Sequence, residues 1–223
     1  MRMLYREGVT ATCCRAWSQF AGSRSADQFD MANGTETSGL VPLWQLSIDS
    51  ANARYGERYE ATSEDELVEA LAFLDEPLHT FSFVDLGCGK GRTLIVAARL
   101  NFREVVGVEF ARELADIATK NLVRQGASRA TVRHADAASF TFPPGNTVIY
   151  LYNPFSEQVL AQVLENIRAS GEAKRYVIYK APRCARLLDE CGFLERYGQP
   201  PGAAHIQVWR GCTAAREDAK ATA

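Results

Sequence analysis

Short apolar runs alternate along this chain with longer stretches in which apolar residues recur every third or fourth position. Phe81, Phe83 and Val84 lead into Asp85-Leu86, Val105–Glu109 is a second run, Ala130–His134 a third, Thr147–Tyr152 a fourth and Tyr176–Tyr179 a fifth. Continuous apolar runs of this length predict strands buried on both faces. Between them, Thr93–Leu100, Arg112–Gln125 and a Ser156-capped stretch ending near Ala169 carry helical stripes, and Arg183–Cys191 is a helix stopped by Gly192. Upstream, Ser63 and Glu66 spell a capping box ahead of Leu67, Leu71 and Leu74. Downstream, Phe193–Tyr197 and His205–Trp209 read as an antiparallel pair joined across Pro200-Pro201-Gly202. Strands alternating with helices require right-handed crossovers. The predicted fold is α/β, a doubly wound, mostly parallel seven-stranded sheet with an N-terminal helical or loop extension.

That pattern divides the chain. Residues 1–26 lack periodicity and are expected to be disordered or loosely docked, and 27–62 form a lid or extension. Residues 63–211 form the domain, and 212–223 a disordered tail. At 223 residues, with 47% hydrophobic and 23% charged positions, the composition is that of an ordinary globular protein. A net charge of −2 supplies no global field for nucleic acid or an anionic membrane. No apolar run approaches the roughly 20 residues of a membrane span. The six cysteines form no Cys-x-x-Cys and no zinc spacing, so no metal is expected, and reduced thiols in a cytoplasmic enzyme are.

The candidate chemistry begins where the first predicted strand ends, in Asp85-Leu86-Gly87-Cys88-Gly89-Lys90-Gly91-Arg92. Glycines there permit a tight turn and a close ligand approach to the main chain. A phosphate loop would place Ser or Thr after Gly89-Lys90, where Gly91 stands, and a dinucleotide fingerprint would place Gly or Ala at Arg92. Ligands of parallel sheets bind outside the C-terminal strand ends. That rule gathers the glycine turn with Glu109, Asp136 and Asn153-Pro154-Phe155. Glu109 can accept both hydroxyls of a ribose, with Phe110 against an adenine face. Asp136 can take the adenine amino group and the Ala137 N–H a ring nitrogen, although Asp also favours such turns on its own account. Trp44, Tyr55 and Tyr59 read as core or lid packing, and Lys90 and Arg92 can equally be solvated surface. Asn153 and the carbonyl that follows it can accept both N–H bonds of an amine, and Phe155 can cover it.

The turn, with Glu36-Thr37-Ser38-Gly39, Tyr59-Glu60-Ala61-Thr62, Val106–Phe110 and Tyr152–Phe155, resembles the class I S-adenosylmethionine (SAM) methyltransferases, and within them a bacterial group with an Asn-Pro-Phe fourth motif. Ala61 departs from the proline usual there. The resemblance implies a Rossmann-like methyltransferase fold and SAM as cofactor. It assigns Tyr59, Thr62, Asp85, Gly87, Cys88, Gly89, Gly91, Arg92, Glu109, Phe110, Asp136, Ala137 and Asn153 to the cofactor, and Asn153, Pro154 and Phe155 to catalysis. The cofactor's carboxylate can use the helix start, Thr62 or Arg92. The implied acceptor is a protein lysine or a small-molecule amine rather than nucleic acid, since no basic tract is present. A SAM-binding protein without turnover and an NAD-dependent oxidoreductase are the alternatives.

Overall fold

The computed structural model describes residues 27–39, 41, 46–47 and 60–212. Helix α1 (Gln28–Asn33) precedes α2 (Glu64–Ala72). The domain then runs β1 (Ser82–Leu86), α3 (Arg92–Ala98), β2 (Glu104–Glu109), α4 (Arg112–Arg124), β3 (Ala130–His134) and β4 (Thr147–Tyr152). It closes with α5 (Glu157–Ala169), β5 (Arg175–Lys180), α6 (Ala185–Glu190), β6 (Leu194–Gly198) and β7 (Ile206–Gly211). The seven strands lie in the order β3-β2-β1-β4-β5-β7-β6. The first five are parallel, and β7 is antiparallel to both β5 and β6. The strand order reverses between β1 and β4, where ligands of such sheets bind.

Alternate residues of each strand feed two cores. Phe83, Val105, Val148, Tyr150 and Ile178 pack with Leu67, Leu71, Leu94 and Leu122, from α2, α3 and α4. Val84, Val108, Ile149, Val177 and Trp209 pack on the other face with Leu160, Val163, Leu164 and Leu188, from α5 and α6. The predicted fold is therefore the observed one, and its limits shift by a residue or two. Gly107 marks how tightly the layers meet: a Cβ there would collide with Leu94 and lie 2.6 Å from Cys88 Sγ. Gly107→Ala is expected to cost about 1–3 kcal/mol, read as a lower midpoint in urea with an unchanged slope.

Two local expectations fail. Ser63 makes no side-chain cap bond, and the Glu66 carboxyl, which would return to the Ser63 N–H in a capping box, pairs instead with Lys180 Nζ at 2.7 Å and His205 Nε2 at 3.0 Å. Ser156 starts α5 without capping it, its hydroxyl buried and lacking a hydrogen-bond partner among the described residues. Trp44, Tyr55 and Tyr59 lie outside the described residues.

Candidate active site

The glycine turn leaves β1 with Gly87, Gly89 and Gly91 at φ of +87°, +53° and +83°. Side chains rarely tolerate these angles. The turn hangs on β2, since the N–H groups of Gly87 and Cys88 both donate to the Val108 carbonyl. Glu109 locks it from the side: Oε2 accepts the Gly89 N–H and Oε1 the Ala111 N–H, each at 2.9 Å. The Glu109 carboxyl is buried, and burial outweighs those bonds and lifts it to about 7. Asp85 is buried beside it and bonds Thr93 Oγ1, its carboxyl also raised to about 7, first by desolvation and further by Glu109.

Across the switch point, β4 ends at Tyr152 and the chain turns through Asn153 at φ +42°, buried and 3.3 Å from the Tyr179 hydroxyl. One strand over, Ala181 follows β5 at φ +48°. Two side-chain-bearing residues in the left-handed region at adjacent strand ends are strained positions of the kind that functional sites hold. A Cβ on Gly87 would lie 2.9 Å from Pro154 Cβ, so glycine lets the Asn153-Pro154-Phe155 corner rest against the turn.

These strand ends enclose a cleft of about 210 Å³ whose walls include Gly87, Glu109, Phe110, Ala137, Asn153, Pro154 and Phe155. A recess beside it is lined by Thr62, Asp85, Cys88, Arg92, Thr93 and Tyr150, with Glu60, Gly87 and Tyr152 shared by both. Thr62 Oγ1 is 2.9 Å from the Tyr150 hydroxyl. Gly89 and Gly91 shape the turn without lining either space, and Gly91 admits Ala118 closely from behind. Asp136 caps a short 3-10 turn through the Ala138 N–H and stands next to the lining residues Ala135 and Ala137. His134 ends β3 exposed, against the Phe110 carbonyl.

Lys90 and Arg92 are not solvated surface. Lys90 Nζ donates to the Ser38 carbonyl, and Arg92 reaches Asp27 and Thr37, both cations being buried. Behind them Asp30, also buried, accepts from Thr35, Thr37 and Ser38, and those bonds outweigh desolvation to hold its carboxyl near 2. Asp27, Asp30 and the buried Asn121, which accepts the Glu36 N–H and donates to the Lys90 carbonyl, escaped the sequence reading. The available signal was an Asp three residues before another Asp, just ahead of the Glu36–Gly39 motif. Tyr152, Ala181 and Arg183 also line the cleft unforeseen.

Residues 83–171 match the family described as "Methyltransferase domain". The match runs from β1 to the end of α5. No curated protein matches the chain in sequence. Among solved structures, a candidate RNA methyltransferase from Pyrococcus horikoshii is 16% identical, with 86% of this chain and 100% of that one covered, at a TM-score of 0.55. A candidate methyltransferase from Escherichia coli is 17% identical over 78% and 99% of the two chains, also at 0.55. Magnesium protoporphyrin IX methyltransferase from Synechocystis PCC 6803, solved with SAM bound, is 13% identical over 66% and 77%, at 0.51. At such identities the likeness is one of fold. The chain spans 53% of the length of another match, an O-methyltransferase segment of StiE. Among the described residues no helix is long and apolar enough to cross a membrane, and no cluster of side chains suits a metal ion.

Proposed function

We propose that the protein moves a methyl group from SAM to an amine nitrogen by in-line displacement. The observation that carries this reading is the close approach of Pro154 to Gly87, which sets the Asn153-Pro154-Phe155 corner, a wall of the cleft, beside the glycine turn. SAM supplies an activated methyl on a sulfonium. Its positive charges suit two buried carboxyls, Asp85 in the recess and Glu109 in the cleft. In this reading Glu109 takes the ribose, Phe110 and Ala137 flank the adenine with Asp136 beside them, and Asp85 faces the ammonium. The Asn153 oxygen accepts an amine N–H and turns the nitrogen lone pair toward the methyl, while Phe155 and Tyr152 exclude water. Tyr59, outside the described residues, belongs to the same proposed set. The acceptor is a protein lysine or a small-molecule amine.

The test is transfer of tritium from methyl-labelled SAM into fractionated protein, RNA and small-molecule pools. Label recovered on nitrogen in protein or small molecules is expected, and label confined to RNA or to oxygen would defeat the reading. A pH effect accompanies it. The two carboxyls ionise near pH 7 in the free protein, and their charged forms favour a cation. SAM should therefore bind about tenfold tighter at pH 8 than at pH 6, measured by calorimetry. Stability of the free protein runs the other way. Folded carboxyls raised to about 7 hold protons that unfolded ones release near pH 4, so stability falls between pH 4 and 7 and levels above it.

A further inference from the structure

The segment 27–39 has no task in the cofactor reading, yet it surrounds one side chain of the recess on three sides. Arg92 Nε donates to Thr37 Oγ1 at 2.8 Å, and Nη2 to Asp27 Oδ2 at 2.5 Å. The Phe29 ring lies under the guanidinium, 4.7 Å from centroid to Cζ. The Thr37 hydroxyl is itself directed: it donates to Asp30 Oδ1 at 2.7 Å and so offers its lone pair to Arg92. Asp30 also holds the Thr37 main-chain N–H, at 2.8 and 2.9 Å from its two oxygens. A guanidinium has five donors in a rigid fork. Among the described residues, Nη1 of Arg92 has no hydrogen-bond partner, and the residue lines the recess that also contains Asp85. Thr62, the other side chain there suited to a carboxylate, is engaged with Tyr150.

We propose that Asp27, Asp30 and Thr37 are positioning residues that aim the Arg92 guanidinium at the carboxylate of the cofactor's amino-acid tail. The inference rests on the SAM reading above. A zwitterionic tail fits a recess lined by the Asp85 and Glu60 carboxyls and by the Arg92 guanidinium. The anionic partners Asp27 and Asp30 leave the neighbourhood negative overall, which suits a ligand whose ammonium and sulfonium outnumber its carboxylate. The N-terminal segment thereby belongs to the cofactor site without touching the cofactor.

The experiment compares two nucleosides on the full chain by calorimetry. S-adenosylhomocysteine carries the amino-acid tail, and 5′-methylthioadenosine lacks it. Thr37→Val and Asp27→Asn are each expected to weaken S-adenosylhomocysteine about tenfold and to leave 5′-methylthioadenosine within twofold, with Thr37→Ser restoring the lost affinity. The Asp27 side chain is 42% exposed, so its variant keeps the fold even where Thr37→Val does not. Equal losses for both nucleosides, or no loss for either, would overturn the proposal. Failure of the unsubstituted protein to bind either nucleoside would overturn the SAM reading, and this inference with it.

Discussion

Glu109→Gln is expected to weaken SAM binding at least about 100-fold while the melting temperature at pH 8 stays within a few degrees. Each Glu109 oxygen already accepts one main-chain N–H, and each keeps a lone pair for a ribose hydroxyl. A hydrogen bond to a charged group is worth about 1.5–3 kcal/mol, so losing two accounts for a hundredfold or more. The amide worsens the geometry, because its NH₂ must face one of the two N–H groups, donor against donor. Stability has a compensating term. A buried carboxyl raised to about 7 must ionise at a desolvation cost at pH 8, and the amide bears no charge. Calorimetry beside a thermal melt decides the matter. Affinity retained within threefold would remove Glu109 from the cofactor site.

The second large effect concerns turnover. Asn153→Ala is expected to lower kcat about 100-fold or more, with SAM affinity changed no more than about fivefold. In the proposed reading the amide aligns the acceptor, and misaligned acceptors lose rate rather than cofactor binding. Alanine also fits poorly at φ +42°, a strain of about 1 kcal/mol. Asn153→Gly separates the two effects, since glycine accepts the angle but supplies no amide. Both variants should be slow, and the glycine variant should melt higher than the alanine one. A glycine variant with full activity would show that Asn153 serves the backbone turn alone.

Much of this was legible in the sequence, for physical reasons. Strands buried on both faces leave unbroken apolar runs, which is why Val105–Glu109 and Thr147–Tyr152 could be placed to within a residue. Glycines at left-handed angles announced the turn. Side-chain polar contacts between distant segments left no such trace. Glu66 has the spacing of a capping box, but a buried Lys180, 114 residues away, offers a stronger partner than a main-chain N–H. The strap of Asp27, Asp30 and Thr37 on Arg92 is likewise a tertiary arrangement of short polar residues, each unremarkable where it stands. Asn153 was placed by its position after a strand, while its backbone strain and the approach of Pro154 to Gly87 required the folded structure.

The insertion of β7 between β5 and β6 bears on how the chain emerges from the ribosome. Until residues through Gly211 have left the exit tunnel, β5 presents an unpaired edge, and Trp209 is absent from the interior it fills. The candidate cleft borders that same strand at Ala181. A nascent chain stalled after β6 therefore holds the glycine turn and Glu109 beside an open sheet margin. Closure of the sheet waits on the thirteen residues that follow Gly198, through Gly211.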